Sequence, residues 1–209
     1  VPGAARVVDI GCGRGFDDDL KLQESIAAAA GTYIGVEPDP DIALGPYFHE
    51  EHRSLFEDAA IEPESVDVAF AVMVLEHLPD PARFWDKLHA VLRPGGVFLG
   101  FTMDARHWFC SASAWAGRLK LKDFYLNRVV GSIQDGRYEN YPVQYRCNTP
   151  VQVAHYASQF SRCECVNFAR VGQCDYYLPR VLKPVGRMLD RHALATGRPG
   201  TVLAVRACK

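Results

Sequence analysis

With 209 residues, 48% hydrophobic and 23% charged, the chain has material for one domain with a full core and too little for two ordinary ones. No uninterrupted apolar run approaches the about 18 residues of a membrane-spanning helix, and no basic-then-apolar leader opens the chain, so a soluble, cytoplasmic protein is expected. The net charge of −2 hides an asymmetry: residues 1–100 hold seven Lys/Arg against 18 Asp/Glu and residues 101–209 hold 16 against seven, which suggests an acidic partner or substrate for the second half.

The first element is a strand over Arg6-Val7-Val8-Asp9-Ile10, a nearly continuous apolar run of the kind buried on both faces of a parallel sheet. Asp9 inside it requires a partner. Gly11, Gly13 and Gly15 follow at alternate positions, where a ligand can approach the backbone without meeting a Cβ. The dinucleotide fingerprint needs its third glycine where Phe16 stands, and the phosphate loop needs a lysine that is absent. A helix is predicted over Asp17 to Ala30, with Asp17, Asp18 and Asp19 in its first turn facing the helix dipole. Thr32-Tyr33-Ile34-Gly35-Val36 is the second strand, closed by Glu37 and Pro38. Glu37 stands where an acid can accept hydrogen bonds from both ribose hydroxyls of a nucleotide. A weakly marked third strand is expected near His52 to Phe56. A fourth begins at Ser65-Val66 and leads through Met73-Val74-Leu75-Glu76-His77 to Asp80-Pro81, a cap and proline that open a helix to Leu92. Phe84, Leu88, Val91 and Leu92 share its apolar stripe. Arg93-Pro94-Gly95-Gly96 then turns into a fifth strand over Val97 to Phe101.

Asp-x-Gly-x-Gly-x-Gly, the acid at Glu37, Leu75-Glu76-His77 with Asp80-Pro81, and Leu92-Arg93-Pro94-Gly95-Gly96 together resemble the class I S-adenosylmethionine-dependent methyltransferases, specifically their small-molecule branch. The resemblance covers residues 6–101. It implies an α/β fold, a doubly wound, mostly parallel seven-stranded sheet with an antiparallel edge hairpin and a helical insertion. It also implies S-adenosyl-L-methionine as cofactor, bound by Asp9, Gly11, Cys12, Gly13, Gly15, Glu37 and Pro38, by Leu55 and Phe56 beside the adenine with Glu57 or Asp58 as polar partner, and by Met73, Leu75 and His77. Such proteins usually carry helices upstream of the first strand, so the chain is expected to be a piece of a longer one.

From Met103 to Thr149 aromatics (Trp108, Phe109, Trp115, Phe124, Tyr125, Tyr138, Tyr141, Tyr145) mix with seven basic residues and four acids. So long a segment between strands is expected to be a lid or acceptor-binding insertion. Thr149-Pro150 caps the next helix, with Val151, Ala154 and His155 or Ala157 facing inward. Cys163 to Val171 and Thr201 to Ala207 are the last two strands. The excursion over residues 172–199 holds a helical stripe of Val181, Leu182, Val185, Met188 and Leu189, with Lys183, Arg187 and Arg191 on another face. That pattern fits an ordinary helix with a solvated face, or weak membrane-surface contact. The cysteines are odd in number, scattered, and form no C-x-x-C pair, so reduced thiols are expected.

Methyl transfer needs a base only where the acceptor must lose a proton. His77, past the fourth strand, is the first candidate, with His107 and Asp104 behind it. Quinone-type O-methyltransferases carry a metal-binding glutamate where Met73 stands, so no metal is expected. The Asp/Asn-Pro-Pro-Tyr tetrad of base and glutamine methylation is absent, and nucleic acid is not expected as acceptor. The expected acceptor is a small molecule, methylated on oxygen, with an anionic or lipid-linked glycan precursor suggested by the basic second half. Two rivals remain: a non-catalytic donor-binding scaffold, and a nucleotide-sugar reductase, which would use NAD and a Tyr-x-x-x-Lys dyad that this chain lacks.

Overall fold

Four apolar runs and the polar segment Glu50–His52 become five parallel strands in the computed structural model, which describes residues 4–13, 15, 19–118 and 142–209. They are β1 (Arg6–Ile10), β2 (Thr32–Val36), β3 (Glu50–His52), β4 (Val66–Val72) and β5 (Leu92–Met103). Strands β6 (Arg162–Phe168) and β7 (Val202–Cys208) complete the sheet in the order β3-β2-β1-β4-β5-β7-β6, with β7 antiparallel to both neighbours. This is the seven-stranded Rossmann-like methyltransferase arrangement. The chain winds outward from β1 through β2 to β3, then returns to place β4 on the other side of β1. That reversal opens a crevice at the C-terminal ends of β1 and β4, where doubly wound sheets bind ligands.

Five helices are described: α1 (Lys21–Ala29), α2 (Pro81–Val91), α3 (Trp108–Arg118), α4 (Pro150–Tyr156) and α5 (Lys183–Ala195). On one sheet face α2 buries Phe84, Trp85, Leu88 and Val91, each burial stabilising by roughly 1.5–3 kcal/mol. Trp85 meets Phe98 of β5 edge-on with ring centroids 5.5 Å apart. On the other face Val7, Tyr33 and Phe70 pack with Ile26 and Ala27 of α1 and with Tyr47 and Phe48. The caps form as expected: Asp80 accepts from the Arg83 N–H and Thr149 from the Gln152 N–H, each followed by proline at the first helical position.

Several boundaries move. Helix α1 starts at Lys21, and Asp19 precedes it, its Oδ1 accepting from the Lys21 N–H. β3 lies at Glu50–His52, upstream of the expected strand, because the backbone of β2 pairs there and the following residues turn into a short 3-10 segment at Phe56–Asp58. β5 reaches back to Leu92, since Leu92 pairs with Val66 across a bulge. The inner face of α4 is Val153, continued by Ala157 and Phe160, while Val151 is 81% exposed. Helix α5 is turned over: Gly186, Asp190 and Ala193 face the protein, and the apolar stripe, which begins in the turn before the helix, looks outward, with Val181 80% and Met188 59% exposed. Of the predicted insertion, residues 119–141, with Phe124, Tyr125, Tyr138 and Tyr141, lie outside the described residues. So do Asp17 and Asp18 at the start of the predicted first helix, and Phe16 before it. Among the described residues no helix is long and apolar enough to cross a membrane.

Candidate active site

The glycine loop is shaped by what surrounds it. After β1 the backbone bends toward β2, and the Val36 carbonyl accepts the N–H groups of Gly11 (2.8 Å) and Cys12 (3.2 Å). Gly11 and Gly15 have φ of 70° and 75°, the left-handed region that a side chain disfavours. Gly13 matters for a different reason. A Cβ there would stand 2.8 Å from Oε2 of Glu37, and the Gly13 N–H donates to that same oxygen at 3.0 Å. The other Glu37 oxygen accepts from the Asp39 N–H at 3.0 Å. Glu37 is buried at the tip of β2, with its carboxylate pinned against the loop by two backbone donors. A carboxylate has about four acceptor positions, so two remain for ligand hydroxyls.

Asp9 finds its partners on the α1 side. Its Oδ2 accepts from Gln23 Nε2 and from the Tyr33 hydroxyl, both at 2.7 Å. Gln23 Nε2 also donates to the Cys12 carbonyl at 2.7 Å, and Gln23 Oε1 accepts from the Tyr47 hydroxyl. Burial pushes the Asp9 carboxyl up to about 6, against the Tyr33 and Gln23 hydrogen bonds, which pull it down. Asp9 thus braces the loop from beneath. Cys12 likewise offers only its backbone to the crevice: its thiol is buried near Gly35, and burial raises its pKa.

Across the crevice, β4 is followed by Met73, a non-glycine residue with φ of 54°, whose N–H donates to the Phe101 carbonyl at 2.8 Å. Strained residues of this kind cluster at ligand sites. Met73 is partly exposed and Leu75 is fully buried in the core, so only the first presents its side chain to the surface. Leu75–His77 forms a 3-10 turn, with His77 half-buried. Of the residues expected beside the adenine, Leu55 is exposed, whereas Phe56 is buried and packs on Phe84 with centroids 5.3 Å apart. Pro38 is half-buried next to Glu37. Because β3 ends at His52, the residue directly after it is Arg53, not an acid. Its Nη1 donates to the Ile42 carbonyl at 2.7 Å and to that of Asp39 at 3.3 Å, tying down the loop after Glu37.

The two second-choice bases have other duties. Asp104 is fully buried, and its oxygens accept from Arg106 Nε (2.9 Å), Arg106 Nη2 (2.6 Å) and Asn167 Nδ2 (2.8 Å). Its oxygens are thereby engaged by donors of the protein itself. His107 is buried with its Nε2 3.4 Å from Asp190 of α5, and burial lowers its pKa against the pull of Asp190. Both sit past β5, on the β5–β7 side of the sheet. Sequence reasoning missed Gln23, Tyr33 and Tyr47, whose roles are set by contacts distant in the chain. It also missed Thr102 and Asn148, which meet Glu76 in the core. Among the described residues no cluster of His, Cys, Asp or Glu is arranged to hold a metal.

The left-handed glycines, the missing Cβ at Gly13, the pinned acid at Glu37 and the strained Met73 fit a nucleoside-bearing ligand at the switch point. The sequence model of the methyltransferase-domain family matches residues 2–159. The chain belongs to that family. Its cofactor is S-adenosyl-L-methionine. This methyltransferase domain is 36% identical over 128 residues to an uncharacterized methyltransferase of Mycobacterium sp. (strain JLS), covering 54% of this chain and 49% of that protein. It is 32% identical over 119 residues to a ubiquinone biosynthesis O-methyltransferase of Bradyrhizobium sp. (strain ORS 278), covering 54% of this chain and 45% of that one. The chain thus spans about half the length of the curated relatives it matches. Among solved structures, an S-adenosylmethionine-dependent methyltransferase from Mesorhizobium loti superposes with a TM-score of 0.58 at 19% identity, covering 99% of this chain and 92% of that one.

Proposed function

We propose that the protein transfers a methyl group from S-adenosyl-L-methionine to an oxygen of a small-molecule acceptor in the cytoplasm. What supports this reading is that Gly11, Gly13, Gly15 and Glu37 follow the C-terminal ends of β1 and β2, while His77 lies in the turn after β4, at the switch point of the strand order. When bound, S-adenosyl-L-methionine supplies an electrophilic methyl group on a sulfonium. Glu37 holds the ribose hydroxyls, Gly11 and Gly13 give the backbone access, Leu55 lies at the adenine end, and Met73 borders the reacting side. His77 takes the proton that an acceptor hydroxyl must lose, the task of a neutral imidazole. Asp104 is ion-paired and His107 buried against Asp190, which favours His77 for that role.

The O-methyltransferase name of the Bradyrhizobium relative supports oxygen as the acceptor atom. Residues 103–149 are proposed to contribute the acceptor side, through α3 and the limb that returns at Gln144 and Tyr145. An anionic acceptor draws less support, because Arg106, Arg162, Arg187 and Arg206 of the basic half pair with Asp104, Glu164, Asp175 and Glu164. The outward stripe of α5 favours weak contact with an anionic membrane surface. Co-sedimentation with anionic vesicles, lost in Val181→Asp/Met188→Asp, would support that contact; equal sedimentation would refute it. The test of the main reading is methyl transfer by the whole chain to a panel of hydroxyl and amine acceptors, in wild type and His77→Gln. Loss of turnover on hydroxyl acceptors with donor binding retained supports it. Turnover on amines alone, or full activity of His77→Gln, overturns it.

A further inference from the structure

The Leu75–His77 turn is held by a buried group that the reaction itself does not use. Glu76 is 5% exposed, and its Oε2 lies 2.6 Å from the Thr102 hydroxyl oxygen on β5. That hydroxyl is also 2.6 Å from the Asn148 side-chain amide. The Glu76 carbonyl accepts the N–H groups of Gln144 (2.7 Å) and Tyr145 (3.2 Å), so one residue ties together β5, the turn and the limb returning from the insertion. Tyr145 is itself strained, with φ of 49°.

The protons in this cluster can be counted. If the Asn148 Nδ2 faced Thr102, it would also face the Glu76 N–H at 3.3 Å, donor against donor. Its Oδ1 would then face the Leu75 carbonyl at 3.3 Å, acceptor against acceptor. Turned over, the amide makes both contacts into hydrogen bonds: Nδ2 donates to the Leu75 carbonyl, and Oδ1 accepts from the Glu76 N–H and from the Thr102 hydroxyl, in exchange for the longer contacts with the Cys147 N–H and the Met103 carbonyl, each at 3.3 Å. Thr102 has one proton, and in this arrangement Asn148 receives it. The 2.6 Å contact between Thr102 and Glu76 must then carry a proton from Glu76.

We propose that Glu76 is kept as a neutral carboxylic acid, donating to Thr102, and that it positions the Leu75–His77 turn in this form. Burial pushes the Glu76 carboxyl up, against the pull that a Thr102 donor, its own backbone N–H and His77 would exert on the ionised form. The ionisable groups around it are His77 on the turn, Cys110 on α3 and Tyr145 on the return limb. Burial raises the pKa of both Cys110 and Tyr145, so neither places a negative charge beside the acid at neutral pH. The consequence for chemistry rests on the function proposed above. An ionised Glu76 would set a negative charge beside His77, whereas a neutral one does not.

The experiment has two arms, the first independent of any activity. Infrared difference spectra between the wild-type chain and Glu76→Gln at neutral pH should show loss of one protonated carboxylic-acid carbonyl band. Loss of a carboxylate band instead would overturn the proposal. Glutamine copies the shape and donor of the neutral acid, so a Glu76→Gln protein that fails to fold would overturn it too. In the second arm, Glu76→Ala should lose turnover by about a hundredfold, the scale of a misplaced catalytic group, and Glu76→Gln should restore it. The acid limb of the pH profile should coincide in wild type and Glu76→Gln. A shift of that limb to lower pH in Glu76→Gln would show that a negative charge had been removed, and would contradict the proposal. Absence of turnover in every protein, with the infrared result as expected, would count against the methyl-transfer reading and leave the neutral acid standing.

Discussion

Gly13→Ala should uncouple donor binding from folding through one atom. The new Cβ would stand 2.8 Å from Glu37 Oε2, and the gap must open by about 0.6 Å to reach ordinary contact at 3.4 Å. Glu37 is poorly able to yield, because its two oxygens are held at 3.0 Å by the N–H groups of Gly13 and Asp39. Losing one hydrogen bond to a charged group costs about 1.5–3 kcal/mol. Carried into binding, that is a loss of about 10- to 150-fold in affinity. Valine at the same position, with a branched Cβ, should abolish binding. The assay is calorimetric titration of the full chain with S-adenosylhomocysteine, with circular dichroism to establish that the variants are folded. A double-mutant cycle identifies the cause: once Glu37→Ala has removed the carboxylate, Gly13→Ala should add no more than ~0.5 kcal/mol. Unchanged affinity in folded Gly13→Ala, or full additivity with Glu37→Ala, would refute the reasoning.

Asp9 should make stability depend on pH. Its folded pKa of about 6 lies above the ordinary carboxyl value of 3.8, so its contribution is fully present below pH 3.8 and is lost as pH rises through about 6. Relative to Asp9→Asn, the wild type should lose at most about 3 kcal/mol of unfolding free energy between pH 4 and 7 in denaturant titrations, and parallel pH curves would exclude the effect. His77→Gln should lower turnover on hydroxyl acceptors by about 10²–10⁴-fold while leaving S-adenosylhomocysteine affinity within tenfold; equal loss of both would make His77 a donor-binding residue. In native thiol titration Cys163, Cys165 and Cys208 should react before the buried Cys12, Cys110, Cys147 and Cys174, and early labelling of the second group would contradict their burial.

What could be read in the sequence was what local chemistry decides. Asp80-Pro81 and Thr149-Pro150 carry their caps within three residues, and both helices begin where those residues stand. The run from Val7 to Gly15 and the acid after β2 lie at the ends of buried strands, so their place in the crevice follows from strand order. β3 was harder, because Glu50-Glu51-His52 is an edge strand with no apolar alternation, defined by its pairing with β2. In α5 the periodicity was visible but its direction was not. Gly186 permits close packing, since a Cβ there would meet Leu178 Cδ1 at 2.5 Å, and Asp190 binds the Trp108 indole N–H at 2.7 Å. Those tertiary contacts turn the larger apolar residues outward. Gln23 and the Glu76–Thr102–Asn148 cluster left no trace in sequence for the same reason: their side chains meet partners 11 to 46 residues away.

The crevice between β1 and β4 is proposed to hold the methyl donor through the glycine loop and Glu37. The most direct measurement is calorimetry of the full chain with S-adenosylhomocysteine and with NAD, repeated on Glu37→Ala. S-adenosylhomocysteine should bind, NAD should not, and Glu37→Ala should weaken binding by about 1.5–3 kcal/mol. NAD binding without S-adenosylhomocysteine binding, or S-adenosylhomocysteine binding indifferent to Glu37, would contradict it.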